Sequence, residues 1–218
     1  MVQYNSYMTD FGKIKKLLDL KQFYGFSEKE ISNMLDLVGK LPKILLDYYL
    51  ELGNCDFNYY QDYLVKPSEY NKFLVDKYVI ICSENQSVCF AGIRKEDLLQ
   101  DNPPVFFTSD MENWEMGCNN LFNYLHGFAY VNLVCSLKYN GYFDLSDYGV
   151  NFIRNNFANK NIVLRNWWSN DGEIEFFGDY DDTIMMLNAE TSLFYASNNE
   201  KHYVAMENKW KGIDIEYK

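Results

Sequence analysis

The sequence predicts an α+β fold in one domain: N-terminal helices, then a mainly antiparallel sheet with helices packed across it. Three observations carry this reading. Apolar residues recur at helical spacing between positions 31 and 52. β-prone runs separated by turn residues occupy 78 to 107, and again 173 to 196. The 218 residues are 48% apolar and 18% aromatic, enough to build one sizeable core and too much for a disordered chain.

A first amphipathic helix is expected from near Asp10, through Leu17 and Leu18, to about Phe23, with Gly25-Phe26 as the break. Ser27-Glu-Lys-Glu30 spells a capping box, in which the Ser27 hydroxyl accepts from the amide of Glu30 and Glu30 reaches back. Ile31, Met34, Leu35 and Val38 follow on one face, and Gly39 closes the helix. Leu41-Pro42 restarts the chain, and Ile44, Leu45, Tyr48, Tyr49 and Leu52 form the next stripe, ended by Gly53-Asn54. Asn54 to Lys77 is polar and tyrosine-rich and reads as an irregular connection.

Tyr78 to Cys82 and Val88 to Ile93 read as strands, with Ser83 to Ser87 as their hairpin turn. Pro103-Pro104 stops any helix begun over Arg94 to Leu99 and sends Val105 to Phe107 off extended. Thr108 to Gly117 is an acidic loop. Asn119 then caps a helix with Leu121, Tyr124, Leu125, Phe128 and Val131 on its face. Ser146 to Phe157 reads as a short helix. Glu173 to Phe177, Thr183 to Leu187 and Ser192 to Ala196 form a meander, turning at Gly178 to Asp182 and at Asn188 to Glu190. Ser197-Asn-Asn-Glu200 reads as a second capping box. It opens a helix with Tyr203, Met206 and Trp210 on one face and Gly212 behind it. Ile213 to Ile215 is a candidate edge strand. No repeat or linker divides residues 1–218.

The formal net charge of −11 argues against direct binding of nucleic acid phosphates or an anionic membrane. It suits solubility alone, or a basic partner. No run approaches the roughly 18 apolar residues of a membrane span. The first twenty residues carry Asp10, Lys13, Lys15, Lys16 and Asp19, unlike a secretory signal. Five cysteines, odd in number and without CxxC spacing, read as reduced thiols in a cytoplasmic protein. Cys82 and Cys89 face each other if the turn centres on Asn85-Gln86. Either a cross-strand disulfide or two small buried thiols would follow.

No catalytic residue, metal ligand or cofactor is predicted. His126 and His202, the two histidines, read as ordinary core-edge or surface residues. Asp179, Asp181 and Asp182, around Tyr180, form the densest carboxylate cluster. That cluster suits a turn, a partner-facing acidic loop or a divalent cation site. Trp114, flanked by Asp110, Glu112 and Glu115, and the pair Trp167-Trp168 beside Ser169 to Gly172, are either interface anchors or caps on the core edge. Glu112, Trp114, Asp179, Tyr180, Asp181 and Asp182 are therefore the candidate partner-binding residues. The tyrosine-rich segment Tyr59 to Tyr70 is the alternative surface.

One stretch is more specific in wording. Glu84-Asn85-Gln86 closes a strand, Val88 to Ile93 is the next, and Glu96-Asp97-Leu98 leads to Asp101-Asn-Pro103-Pro104-Val105. This resembles the SMI1/KNR4 family of the SUKH superfamily, where a strand runs into "ENQ", then a "V…GI" strand, then an "eDL…dPPV" segment. The helix, Leu41-Pro42, helix arrangement of Ile31 to Gly53 fits the same family. The resemblance is strongest over about residues 27 to 130. It implies a SUKH-like fold and, in bacteria, an immunity protein: a non-enzymatic antitoxin that binds and neutralises a cognate polymorphic toxin, often a basic nuclease. Its alternative is a regulatory protein-binding scaffold of the fungal kind. An enzyme using Asp179, Asp181 and Asp182 is the third reading.

Overall fold

Ser27 opens the helix over residues 28–38 as its spacing demands. Its hydroxyl accepts from the Glu30 amide at 3.3 Å, and the Glu30 carboxylate takes the Ser27 amide at 2.8 Å, which satisfies two otherwise orphaned helix-start groups. In a computed structural model, residues 11–22, 24–166, 172–213 and 215 are described. The helices are α1 (Gly12–Leu17), α2 (Glu28–Val38), α3 (Lys43–Glu51), α4 (Leu121–Ser136), α5 (Asp147–Asn156) and α6 (Glu200–Trp210). The strands are β1 (Asp62–Leu64), β2 (Tyr78–Glu84), β3 (Phe90–Arg94), β4 (Val105–Thr108), β5 (Glu115–Cys118), β6 (Tyr139–Asp144), β7 (Asn159–Arg165), β8 (Glu173–Phe177), β9 (Thr183–Asn188) and β10 (Ser192–Ser197).

These strands make two five-stranded sheets, ordered β1-β2-β3-β4-β5 and β6-β10-β9-β8-β7, with every neighbouring pair antiparallel. The α+β class is as expected, but the sheet is doubled. The reason is α4. Its sequence, LFNYLHGFAYVNLVCS, is apolar nearly all round, so it has no solvent face and must be covered on both sides. On one side Tyr124 meets Phe107 of β4, and Asn132 accepts the amides of Gln61 and Asp62 at 2.8 and 2.9 Å. On the other, Tyr130 lies edge-on to Phe176 of β8, and Gly127 lets Leu164 of β7 approach closely. The main core therefore runs from α1–α3 through the first sheet and α4 to the inner face of the second sheet. A smaller apolar cluster on the outer face of that sheet is covered by α5 and α6.

The motif Glu84-Asn85-Gln86 has a local explanation. The Glu84 carboxylate accepts from the Gln86 amide at 2.7 Å and the Val88 amide at 3.5 Å, while the Glu84 amide donates to the Cys89 carbonyl at 2.9 Å. Glu84 thus closes the β2–β3 hairpin from within and is itself buried. The turn lies at residues 85–89, later than expected. With the turn one position later, Cys82 opposes Ala91, not Cys89, and a bulge at Ile81 shifts the register only farther along the hairpin. The five cysteines, all among the described residues, form no disulfide.

Several boundaries differ from expectation. α1 is shorter than the predicted first helix. Asn120, not Asn119, caps α4, through its side chain and the Asn123 amide at 2.8 Å, with Asn102 taking the Phe122 amide at 2.9 Å. Ser197 does not open a second capping box. It ends β10, and Asn199 caps α6 by accepting from the Lys201 amide. Ile213 and Ile215 lie outside any strand, and the Ile215 carbonyl takes the Ser146 amide and hydroxyl at the start of α5. Trp167-Trp168 and Ser169 to Asp171 fall outside the described residues.

Candidate functional site

The six candidate residues sit in two loops with separate contacts. Residues 109–114 join β4 to β5. Asp110 organises this loop: its Oδ1 accepts the amides of Glu112 and Asn113 at 2.9 and 2.8 Å, and these bonds hold its carboxyl far below the usual range. Glu112 points into solvent. Trp114 does not. Its ring stacks on Tyr78 at 4.0 Å and 9°, and its Nε1 donates to the Met111 carbonyl at 3.2 Å. A Cβ on Gly92 would stand 2.9 Å from that ring, which explains the strand glycine. Trp114 thus caps the core edge and leaves only part of its surface outward.

Residues 178–182 join β8 to β9. The Thr183 hydroxyl closes the turn, taking the Tyr180 amide at 3.0 Å and donating to its carbonyl at 3.1 Å. Each carboxylate has found a basic partner. Asp179 pairs with Lys209 of α6 at 2.7 Å, Asp181 with Lys16 of α1 at 2.9 Å, and Asp182 with His202 of α6 at 2.7 Å. The Lys16 bond lowers the Asp181 pKa. Tyr180 stacks face to face on the His202 ring at 4.0 Å and 4°, still 42% exposed. Lys160 of β7 lies over Gly178, where burial and nearby Lys13 push its ammonium down to about 8 against the pull of Asp181, Asp179 and Asp182.

An open cleft of about 740 Å³ runs beside this loop, with Asp19, Asp181, Asp182, Glu200 and Tyr180 in its walls against Lys16 and His202. Acid outnumbers base there, and an aromatic face is available. Asp182 fixes the His202 imidazole through Nδ1, the orienting half of a general-base arrangement. Among the described residues no group of three or more His, Cys, Asp or Glu side chains is placed to hold a metal ion. His126 is buried on α4 between Phe11 and Phe122, its Nδ1 3.0 Å from the Phe122 carbonyl. Sequence spacing missed the contributions of Lys16, His202 and Lys209, which lie far from the loop along the chain.

Across known proteins, no family model matches the chain, and neither a curated protein nor a solved structure is significantly similar to it. No helix among the described residues is long and apolar enough to cross a membrane.

Proposed function

We propose that this chain is a cytoplasmic binding protein of the immunity type, which neutralises a basic toxin by occupying it rather than by chemistry. The observation that carries the reading is the acidic, aromatic cleft beside Asp179 to Asp182. A partner's Arg or Lys entering there meets Asp19, Asp181, Asp182 and Glu200, with the Tyr180 face for stacking. The bonds to Lys16 and His202 hold the carboxylates in place until a stronger basic group exchanges with them. Glu112 provides a second, solvent-facing contact, in a loop that Trp114 stiffens from beneath. The resemblance over residues 27 to 130 and the net charge of −11 support the same reading. A regulatory scaffold would use the same surface, and protection from a toxin separates the two.

Co-expression with a toxin encoded beside it is expected to restore growth. Asp181→Asn with Asp182→Asn is expected to slow association several-fold and flatten its salt dependence, since exposed charges act mainly on encounter. Trp114→Ala is expected to speed dissociation. A toxic neighbour that this chain neither binds nor relieves sinks the pairing. Unchanged rate constants in folded variants move the interface elsewhere, first to Tyr59 to Tyr70.

A further inference from the structure

Among the described residues β6 is an outer strand, paired with β10 alone. That ladder runs without a bulge from Asp144↔Ser192 to Tyr139↔Ser197. The Leu145 amide donates to the Thr191 carbonyl at 2.7 Å, which extends the same register by one pair. Antiparallel pairs alternate, so odd-numbered residues of β6 turn their backbone groups toward β10, and Asn140, Tyr142 and Asp144 turn theirs to the open edge. Edge strands are ordinarily blunted by a charge, a proline, a bulge or extreme shortness. The other three edges follow this: β1 has three residues, the β5 pairing has a register shift, and β7 has both an irregularity and Lys160. β6 reads Tyr-Asn-Gly-Tyr-Phe-Asp, with no proline or bulge and its single charge, Asp144, at the very end.

We propose that β6 pairs antiparallel with β6 of a second copy of this chain, across a two-fold axis at Gly141. The two five-stranded sheets would then join edge to edge. A two-fold axis normal to the sheet keeps each residue on its own face, so odd residues oppose odd and even oppose even. With Gly141 opposite itself, Asn140 opposes Tyr142 of the second copy, and both turn their backbone groups to that edge. Continued past the strand, the same register brings the exposed Lys138, in the bend just before β6, within side-chain reach of the exposed Asp144 of the other copy. Charge complementarity selects this register. Sliding it by one step of two residues places Asn140 against Asp144, or Lys138 against Tyr142, and loses both ion pairs. Asp144 is already held at the strand end by the hydroxyls of Tyr142 and Ser192, at 2.5 and 3.0 Å. Gly141 is crossed by the Tyr195 ring, whose Cζ would stand 2.4 Å from a Cβ there, so the residue on the axis carries no side chain to hold the copies apart.

Sedimentation of the full chain over a concentration series tests this. The expected result is a reversible dimer. Lys138→Asp alone, or Asp144→Lys alone, is expected to weaken it roughly tenfold or more, by turning two attractions into two repulsions. The double variant Lys138→Asp with Asp144→Lys is expected to recover it. Asn140→Pro removes an edge amide that β10 does not use and is expected to abolish the dimer with the melting midpoint little changed. If that variant does not fold, the charge swap decides alone. A monomer throughout the micromolar range, or a dimer indifferent to the charge reversals, overturns the proposal.

Discussion

Lys160 carries a charge at a position that resists it. Burial is the larger cause of its lowered pKa, and Lys13 adds to it. An unfolded lysine titrates at 10.5 and this one at about 8, so between those values the unfolded chain holds a proton that the folded chain has released. Stability therefore rises with pH across that window, and the full cost is present below it. Lys160→Met is expected to raise stability at pH 7 by on the order of 1–3 kcal/mol and to remove the alkaline rise. Denaturant midpoints of both proteins, taken from pH 7 to 10.5, check this. Their difference isolates Lys160 from buried Tyr48 and Tyr49, whose raised pKa values act in the opposite direction at high pH. At this same scale the sequence was informative about what each residue is and silent about its company. The Asp179 to Asp182 cluster was visible as a turn of acids. Its pairing with Lys16, His202 and Lys209 was not, because those side chains arrive from α1 and α6 through tertiary packing. Trp114 was open between anchor and cap, and only the position of Tyr78 shows it stacked.

Among the elements, Gly127 of α4 illustrates packing overriding propensity. Replacing a helical glycine with alanine ordinarily stabilises by roughly 1 kcal/mol. Here a Cβ would stand 2.4 Å from Leu164 Cδ1 and 2.5 Å from its Cγ, on the strand that presses against the helix. Gly127→Ala is expected to destabilise by about 1–3 kcal/mol, read as a lower denaturant midpoint, because α4 must move away from β7. Adding Leu164→Ala should return part of the loss. A stabilised Gly127→Ala would show that Leu164 yields freely. The six central strands, β2, β3, β4, β8, β9 and β10, were legible as apolar runs. The four that were not, β1, β5, β6 and β7, are the four sheet edges. An edge strand buries less and tolerates Asn, Gly and Lys, as Tyr-Asn-Gly-Tyr-Phe-Asp and Asn-Lys-Asn-Ile-Val-Leu-Arg show. Missing both edges of each sheet is why one sheet was expected where two stand.

At the scale of the whole molecule, the two sheets share α4, and that decides how the chain unfolds. Separating them would expose Tyr124 and Phe128 on one side of the helix or Tyr130 on the other, all buried now. Neither half keeps a complete core without this helix, whose apolar surface the other half covers. A chain of 218 residues does not unfold in one step by default, but a shared central helix couples its halves. Hydrogen exchange followed by mass spectrometry is therefore expected to show β2–β3 and β8–β10 becoming exposed in the same transition. Leu133→Ala deletes a fully buried α4 side chain and is expected to lower the protection of both sheets together, by about 2–5 kcal/mol. If one sheet loses protection while the other keeps it, the sheets are separate cooperative units. The helix would then belong to only one of them.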